Sequence, residues 1–471
     1  MSDNQKVSES RNTFSDKWGF ILASAGSAVG LGNIWRFPYL AAKNGGGLFL
    51  FVYVIFALTF GFAMLITEIA IGRKTRQSCL TAYKQVKSEW GFLGWLAFIV
   101  PSIVYTYYCV IGGWVLKYLI AFFNFSSQDT AADGYFTAFI TNPLLTIIFC
   151  AIFSFISAFI IYHGVEKGLE KYSRILMPIL VILVIAVSVY SCFIKYNDAV
   201  SHVTRTGWDG LKVYLIPDFK GLTLGKFFTV CLDAIGQLFY SLSIAMGIMV
   251  TYGSYMKDDV DLNRSVHHIE IFDTGIALLA GMMIIPAVYV FKGLEGMSAG
   301  PGLMFVSLPN VFMSMGLVGH IVGLLFFIMV AFAAMTSCMS ILEAIVSGMI
   351  DKFGWSREKS VVIAGTASFV ISIIICLGYK QLYFELPLPN GTTAQLLDIF
   401  DYVSNNIIMP ILAILTCVLI GWIVKPDYLL SEIRRNGEPF RRKWVYIVMV
   451  KYIAPVFLVI LLLFSVGIIR V

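Results

Sequence analysis

Apolar runs separated by short polar stretches cover most of the chain. They fall at roughly 19–42, 46–71, 91–123, 143–162, 173–195, 224–256, 267–291, 318–350, 360–378, 397–424 and 445–469. A helix needs about 20 apolar residues to cross the hydrocarbon core of a bilayer, and these runs meet or approach that length. The pattern predicts an all-α polytopic membrane protein with 11 transmembrane helices. The stretch 293–317, with Pro301 and Pro309 among glycines and serines, is too broken to be another span.

Two of the runs carry interruptions. The first, GFILASAGSAVGLGNIWRFPYLAAKN from Gly19 to Asn44, places the weak helix formers Gly19, Gly26, Gly30, Gly32 and Asn33 within its first fifteen residues and Arg36 beyond them. Lipid supplies no hydrogen-bond partners, so a broken span is tolerated only where it is buried in protein or lines a wet cavity. Carbonyls freed at such a break suit a hard cation, and the N–H groups opening the next half-helix suit an anion. Close helix packing of the GxxxG kind is the alternative for the glycines alone. Five spans later, Ala234-Ile-Gly-Gln-Leu-Phe-Tyr-Ser-Leu-Ser-Ile-Ala-Met-Gly247 is interrupted in the same manner. Breaks at corresponding places in two five-helix halves point to an inverted repeat around a central binding site.

Composition narrows the class. Hydrophobic residues are 58% and charged residues 13% of 471, with a mean hydropathy of +0.82, which suits an integral membrane protein. The polar residues 1–18 have no signal-peptide core and read as a cytoplasmic tail. Residues 19–471 form one transporter-like domain, with 19–195 and 224–424 as the two repeats and 445–469 as an extra helix. The net charge of +6 does not indicate nucleic-acid binding, because the basic residues concentrate in alternate loops. Examples are Arg73, Lys74 and Arg76 in one loop and Arg434, Arg435, Arg441, Arg442 and Lys443 in another. The positive-inside rule places these loops and the N-terminus in the cytoplasm, and an odd number of spans leaves the C-terminus outside. The eight cysteines show no metal or disulfide spacing, and His163, His202, His267, His268 and His320 are scattered. No nucleophile–base pair or phosphate loop is present, so no enzyme activity is expected.

The motif GSAVGLGNIWRFP, together with motifs in the third, sixth, eighth and tenth runs, resembles the neurotransmitter:sodium symporter family, whose bacterial members carry amino acids. The resemblance covers essentially the whole chain. It implies a leucine-transporter-like fold, a 5+5 inverted repeat with unwound first and sixth helices, and stretch 293–317 as an outer hairpin. It implies no cofactor and two co-transported sodium ions. One ion would be held by Ala28, Asn33, Ser241 and Asp273, the other by Gly26, Val29, Ala333, Thr336 and Ser337. Read alone, Thr336 and Ser337 are also compatible with back-bonding to their own helix. Asp273, a carboxylate inside an apolar helix, is costly and by default functional. Many animal members carry Asn there and use chloride, so Asp273 implies that chloride is not required.

For an amino acid, the resemblance assigns the carboxylate to the backbone near Leu31 and Gly32 and to the Tyr108 hydroxyl. The ammonium falls to carbonyls near Gly26, Tyr240 and Ser243. Gly30 stands where monoamine carriers have Asp. Val104, Tyr108, Tyr240, Met246, Phe305, Ser340 and Ile341 would surround a side chain, with Ala28 and Ser241 also at the site. Such an apolar pocket favours neutral hydrophobic or aromatic residues. Arg36 and Asp401, with Tyr108 and Phe305, resemble an outer gate. Arg11 and Asp351, with Ser254, Tyr255 and Glu343, resemble an inner one, although membrane-edge anchoring also explains Arg11 and Asp351. Glu68 would satisfy N–H groups freed at the breaks. Gly168 and Pro178 match a pattern in which the cytoplasmic end of the fifth helix unwinds. The expected function is sodium-coupled uptake of a neutral amino acid across the bacterial inner membrane, by a monomer or homodimer. A proton-coupled or exchange carrier of the same fold and a non-transporting amino-acid sensor are the alternatives.

Overall fold

The computed structural model describes residues 13–197, 204–219, 221–297, 300–437 and 439–469. Arg11 lies outside them. The chain opens with α1 (Lys17–Ala28), whose first N–H groups are capped by Asp16. A π-turn at Gly32–Arg36 then leads into α2 (Phe37–Lys43). Next come α3 (Gly47–Thr75), α4 (Ser88–Phe123), α5 (Pro143–Tyr162) and α6 (Val165–Phe193). A second interrupted pair, α7 (Leu224–Ser241) and α8 (Ile248–Tyr255), follows. The chain ends with α9 (Leu262–Lys292), the short α10 (Leu303–Ser314), α11 (Leu317–Phe353), α12 (Arg357–Leu377), α13 (Leu396–Ile423) and α14 (Lys443–Ser465).

Among the described residues nine helices are long and apolar enough to cross a membrane. The two interrupted pairs are not among the nine, because neither is a single continuous helix. The all-α expectation needs one small amendment: two short hairpins, Lys195–Asn197 with Thr204–Thr206 and Leu386–Pro387 with Thr393–Ala394, lie in loops.

Burial sorts the helices by position. In the most apolar window of α4, 72% of residues are buried, against 17% in α14, so α4 is a core helix and α14 a peripheral one. Large side chains such as Phe51, Phe155 and Ile182 face outward, the surface a lipid belt requires. Inside, α1 packs against α6, α9 and α11, and α8 packs on the second half of α3. Small residues allow the close approaches: a Cβ on Gly253 would collide with the backbone of Ile69, and one on Gly113 would come within 2.7 Å of the Cys150 nitrogen. Both breaks therefore lie deep in the bundle, enclosed by continuous helices.

Candidate functional site

The helical path fails twice at the centre. At Val29 the N–H still reaches the Ala25 carbonyl at 2.7 Å, but ψ of 89° turns the chain out of α1. Beyond α7, Ser243, Ala245 and Gly247 take φ of 54°, 59° and 70°. Left-handed backbone costs a non-glycine residue about 1 kcal/mol or more at the second break, and both breaks leave backbone groups without helical partners, so the two need outside support. Side chains supply it. Glu68 of α3 accepts the Ala245 N–H at 2.6 Å, Gln237 donates to the Gly32 carbonyl at 3.1 Å, and Ser243 donates to the Ser27 carbonyl at 3.3 Å.

Beside the breaks, Asn33, Ser241 and Asp273 converge. The Asn33 amide donates to Asp273 Oδ1 at 2.8 Å, and the Ser241 hydroxyl donates to Oδ2 at 3.2 Å. Tyr53, which the sequence reading passed over, contacts the same oxygen at 3.5 Å. Asn33 Oδ1 is buried with no partner. A carboxylate, a hydroxyl and a spare amide oxygen in one enclosed place form a hard-oxygen donor set suited to a small cation.

Between α1 and α11 the pair Thr336 and Ser337 divides its roles. Ser337 reaches across to the carbonyls of Gly26 at 3.3 Å and Ser27 at 3.2 Å. Thr336 bonds back to Phe332 at 3.0 Å and Ala333 at 3.1 Å on its own helix. Gly26 faces Thr336 so closely that a Cβ would lie 3.1 Å from the threonine Cβ. Val29, the first residue beyond α1, is fully buried nearby.

A small cavity adjoins both clusters. Its wall comprises Ser27, Ala28, Gly30, Leu31, Gly32 and Asn33 from the first break and the end of α1, Tyr240, Ser241, Ser243 and Met246 from the second, and Val104, Tyr108, Ser337 and Ile341 from α4 and α11. A water-sized sphere has about 20 Å³ in which to move, room for a water or two. A molecule much larger than water does not fit between these walls as they stand. The Tyr108 hydroxyl lies near Ser337 and the Leu31 N–H, yet completes a hydrogen bond with neither.

Two residues expected in this wall are elsewhere. Phe305 is fully buried in an aromatic cluster, stacked on Phe136 at 5.1 Å and edge-on to Trp114 at 5.9 Å. Ser340 bonds back to the Thr336 carbonyl at 2.8 Å and lies beside Tyr252. The ring at the mouth is that of Tyr240, which carries the Arg36 guanidinium 5.7 Å from its centroid. Above it a vestibule of about 110 Å³ is bounded by Arg36, Tyr240, Asn405 and Phe464, among others.

The expected outer ion pair is not closed. Arg36 donates to the Gly236 carbonyl at 3.4 Å, while Asp401 accepts from Asn405 at 2.7 Å and from Tyr107. On the opposite side, Asp351 accepts the Ser78 N–H at 2.6 Å and so caps the short helix Cys79–Val86. Ser254 bonds to the Thr251 carbonyl within α8. Tyr255 donates to Glu343 at 2.6 Å, and Arg357, absent from the sequence reading, grips the same carboxylate at 2.7 and 2.9 Å. The Phe14 N–H meets the Tyr255 carbonyl at 3.2 Å, and the Ser15 N–H meets Glu170 at 2.8 Å. Arg174 bridges Glu170 and Asp16, holding the Asp16 carboxyl below the usual carboxylate range. The expected unwinding around Gly168 and Pro178 is not seen. Gly168 lies within a wound π-turn at Val165–Glu170 and packs against the Ile160 carbonyl, and Pro178 lies inside the α-helical stretch Lys171–Phe193 that follows.

Residues 11–133 and 140–470 match the family model described as the sodium:neurotransmitter symporter family. The chain belongs to this family. It is 34% identical, over 97% of its own length and 98% of the relative's, to YhdH of Bacillus subtilis, described as an uncharacterized sodium-dependent transporter. A further uncharacterized sodium-dependent transporter, from Haemophilus influenzae, is 28% identical over 98% of this chain and 99% of its own. Among solved structures, MhsT in complex with L-phenylalanine superposes with a TM-score of 0.82 at 32% identity, covering 97% of this chain and all of that one. The sodium:neurotransmitter symporter fold is thus the fold of this protein, with its two broken helices at the centre. The protein is a sodium-dependent, multi-pass membrane transporter, and the family is one of transporters, not enzymes.

Of the residues that sequence reasoning missed, Tyr53 and Arg357 are the most instructive. Tyr53 gave no signal beyond a hydroxyl inside an apolar run. Arg357 could have been sought as the cation that a buried Glu343 requires.

Proposed function

We propose that this protein couples sodium entry to uptake of a neutral hydrophobic or aromatic L-amino acid, without chloride, by alternating access. The reading rests chiefly on the Asp273–Asn33–Ser241 cluster beside the enclosed cavity. Asp273 supplies the negative charge next to a bound sodium, so no second anion is needed. A second sodium would bridge α1 and α11 through Ser337, Thr336 and the carbonyls of Gly26, Val29 and Ala333. With the two broken helices added to the nine continuous spans the chain would cross 11 times, and the distribution of Lys and Arg would put the N-terminus in the cytoplasm of a bacterium and the protein in its inner membrane.

The substrate carboxylate would take the first sodium, the Leu31 and Gly32 N–H groups and the Tyr108 hydroxyl. Gly30 leaves room for it: a Cβ there would stand 2.8 Å from Ser337 Oγ and 3.3 Å from Tyr108 Oη. Val104, Met246 and Ile341 offer the side chain an apolar wall without a fixed charge, which disfavours Lys, Arg, Asp and Glu. MhsT, solved with L-phenylalanine, supports the same class. Tyr240 and Arg36 would close over the substrate, and the Glu343–Arg357–Tyr255 network would open on release. By linkage, sodium must raise substrate affinity by the factor by which substrate raises sodium affinity.

The test is uptake of each of the twenty amino acids into proteoliposomes, with and without an inward sodium gradient, in chloride and in gluconate. Uptake of hydrophobic or aromatic residues that needs sodium and ignores chloride is expected. Uptake indifferent to sodium would overturn the coupling, and loss in gluconate would overturn the role of Asp273.

A further inference from the structure

Near one end of α14, a half-buried lysine lies inside an apolar span, beside the exposed face of that helix. Lys451 is eight residues into that helix, about 12 Å along its axis, level with Trp422 at the end of α13. A cation in such a place has to reach the membrane surface or find an anion. Among the described residues no carboxylate lies within ion-pair distance of it.

The surroundings hold this ammonium in place. Both helices take a π-turn here, Leu419–Ile423 in α13 and Met449–Ile453 in α14. Pro455 lacks the N–H that would serve the Lys451 carbonyl four residues earlier, and the Trp422 indole donates to that carbonyl at 2.9 Å. Gly421 permits the approach, since a Cβ there would lie 3.1 Å from Lys451 Cα. The indole is thereby fixed with Lys451 Nζ 4.9 Å from its centroid, and the Tyr452 ring closes the corner at 5.4 Å. Trp422 is 53% exposed and Tyr452 50% exposed, so the aromatic frame around the half-buried lysine borders the outward-facing surface.

We propose that Lys451, framed by Trp422 and Tyr452, binds the phosphodiester headgroup of an anionic membrane lipid. The charge fits a phosphate monoanion, the exposed rings suit the interfacial zone, and the apolar flank of α14 accommodates the acyl chains. The lipid belongs to the leaflet on the Lys443 side, cytoplasmic under the topology proposed above.

The full-length protein in detergent is titrated with dioleoylphosphatidylglycerol or dioleoylphosphatidylcholine, and bound lipid is counted by native mass spectrometry. Wild type is expected to prefer phosphatidylglycerol about fivefold, Lys451→Arg to keep that preference and Lys451→Met to lose it. Should Lys451→Met fold poorly, Lys451→Gln keeps a polar side chain and is expected to lose the preference too. Lipid-free unfolding temperatures are compared in parallel. An undiminished preference in the neutral variants, or no preference in wild type, overturns the site, as does a neutral variant whose only change is lower lipid-free stability.

Discussion

Asn33 and Asp273, 240 positions apart, meet at 2.8 Å where both side chains are closed to solvent. The contact ties the first broken helix to the continuous α9, and Ser241 adds the second broken helix through the other carboxylate oxygen. Three elements thus converge on one buried carboxylate. Its ionised form is expensive to hold without a cation, which is the physical reason to connect this cluster with sodium.

Asp273→Asn preserves shape and removes the charge. Sodium-driven amino-acid uptake in gluconate is expected to fall at least tenfold, with partial recovery when chloride is supplied. Wild type should be indifferent to the exchange of anion. Full uptake by the variant in gluconate would contradict the assignment.

Gly30→Ala brings a methyl group to 2.8 Å from Ser337 Oγ and 3.3 Å from Tyr108 Oη. Ser337 is also the link to α1, so both substrate and sodium affinity should weaken, each by about tenfold, a loss on the order of 1.4 kcal/mol. Equilibrium binding of the radiolabelled amino acid that the uptake screen identifies, across a sodium titration, measures both.

Tyr108→Phe separates binding from folding. The hydroxyl completes no hydrogen bond in this conformation, so its removal should leave the unfolding temperature unchanged. Substrate affinity should drop about tenfold, because the carboxylate loses a donor. A variant equally impaired in stability would place the hydroxyl in the scaffold instead.

Arg357→Met leaves Glu343 buried beside Tyr255 without its counter-charge. Breaking such a pair costs about 3–5 kcal/mol, and adding Glu343→Gln should recover most of the loss. Thermal unfolding of the purified single and double variants reads the difference. If the double variant is as unstable as the single one, the pair is not coupled in the manner its geometry implies.

The breaks were legible in the chain because glycine and asparagine are out of place in the middle of an apolar span, and Asp273 was legible because a carboxylate is. What a side chain turns toward was much harder to read. Phe305 and Tyr240 are both aromatic residues in broken stretches, and composition does not say which ring looks into the cavity. Thr336 and Ser337 are adjacent and chemically alike, yet one faces its own helix and the other its neighbour. Gly168 and Pro178 permit unwinding without requiring it, so their presence does not by itself tell a wound segment from an unwound one. Arg357 stayed hidden because a basic residue at a helix start looks like an ordinary membrane-edge anchor until its buried partner is found.

The bond from Ala245 to Glu68 means that one wall of the cavity takes its contour from a helix that contributes no residue to that wall. Changes along α3 around Glu68 should therefore alter which molecules are accepted, even though none of those side chains ever meets the cargo. A search for determinants of selectivity that stops at first contacts would miss them.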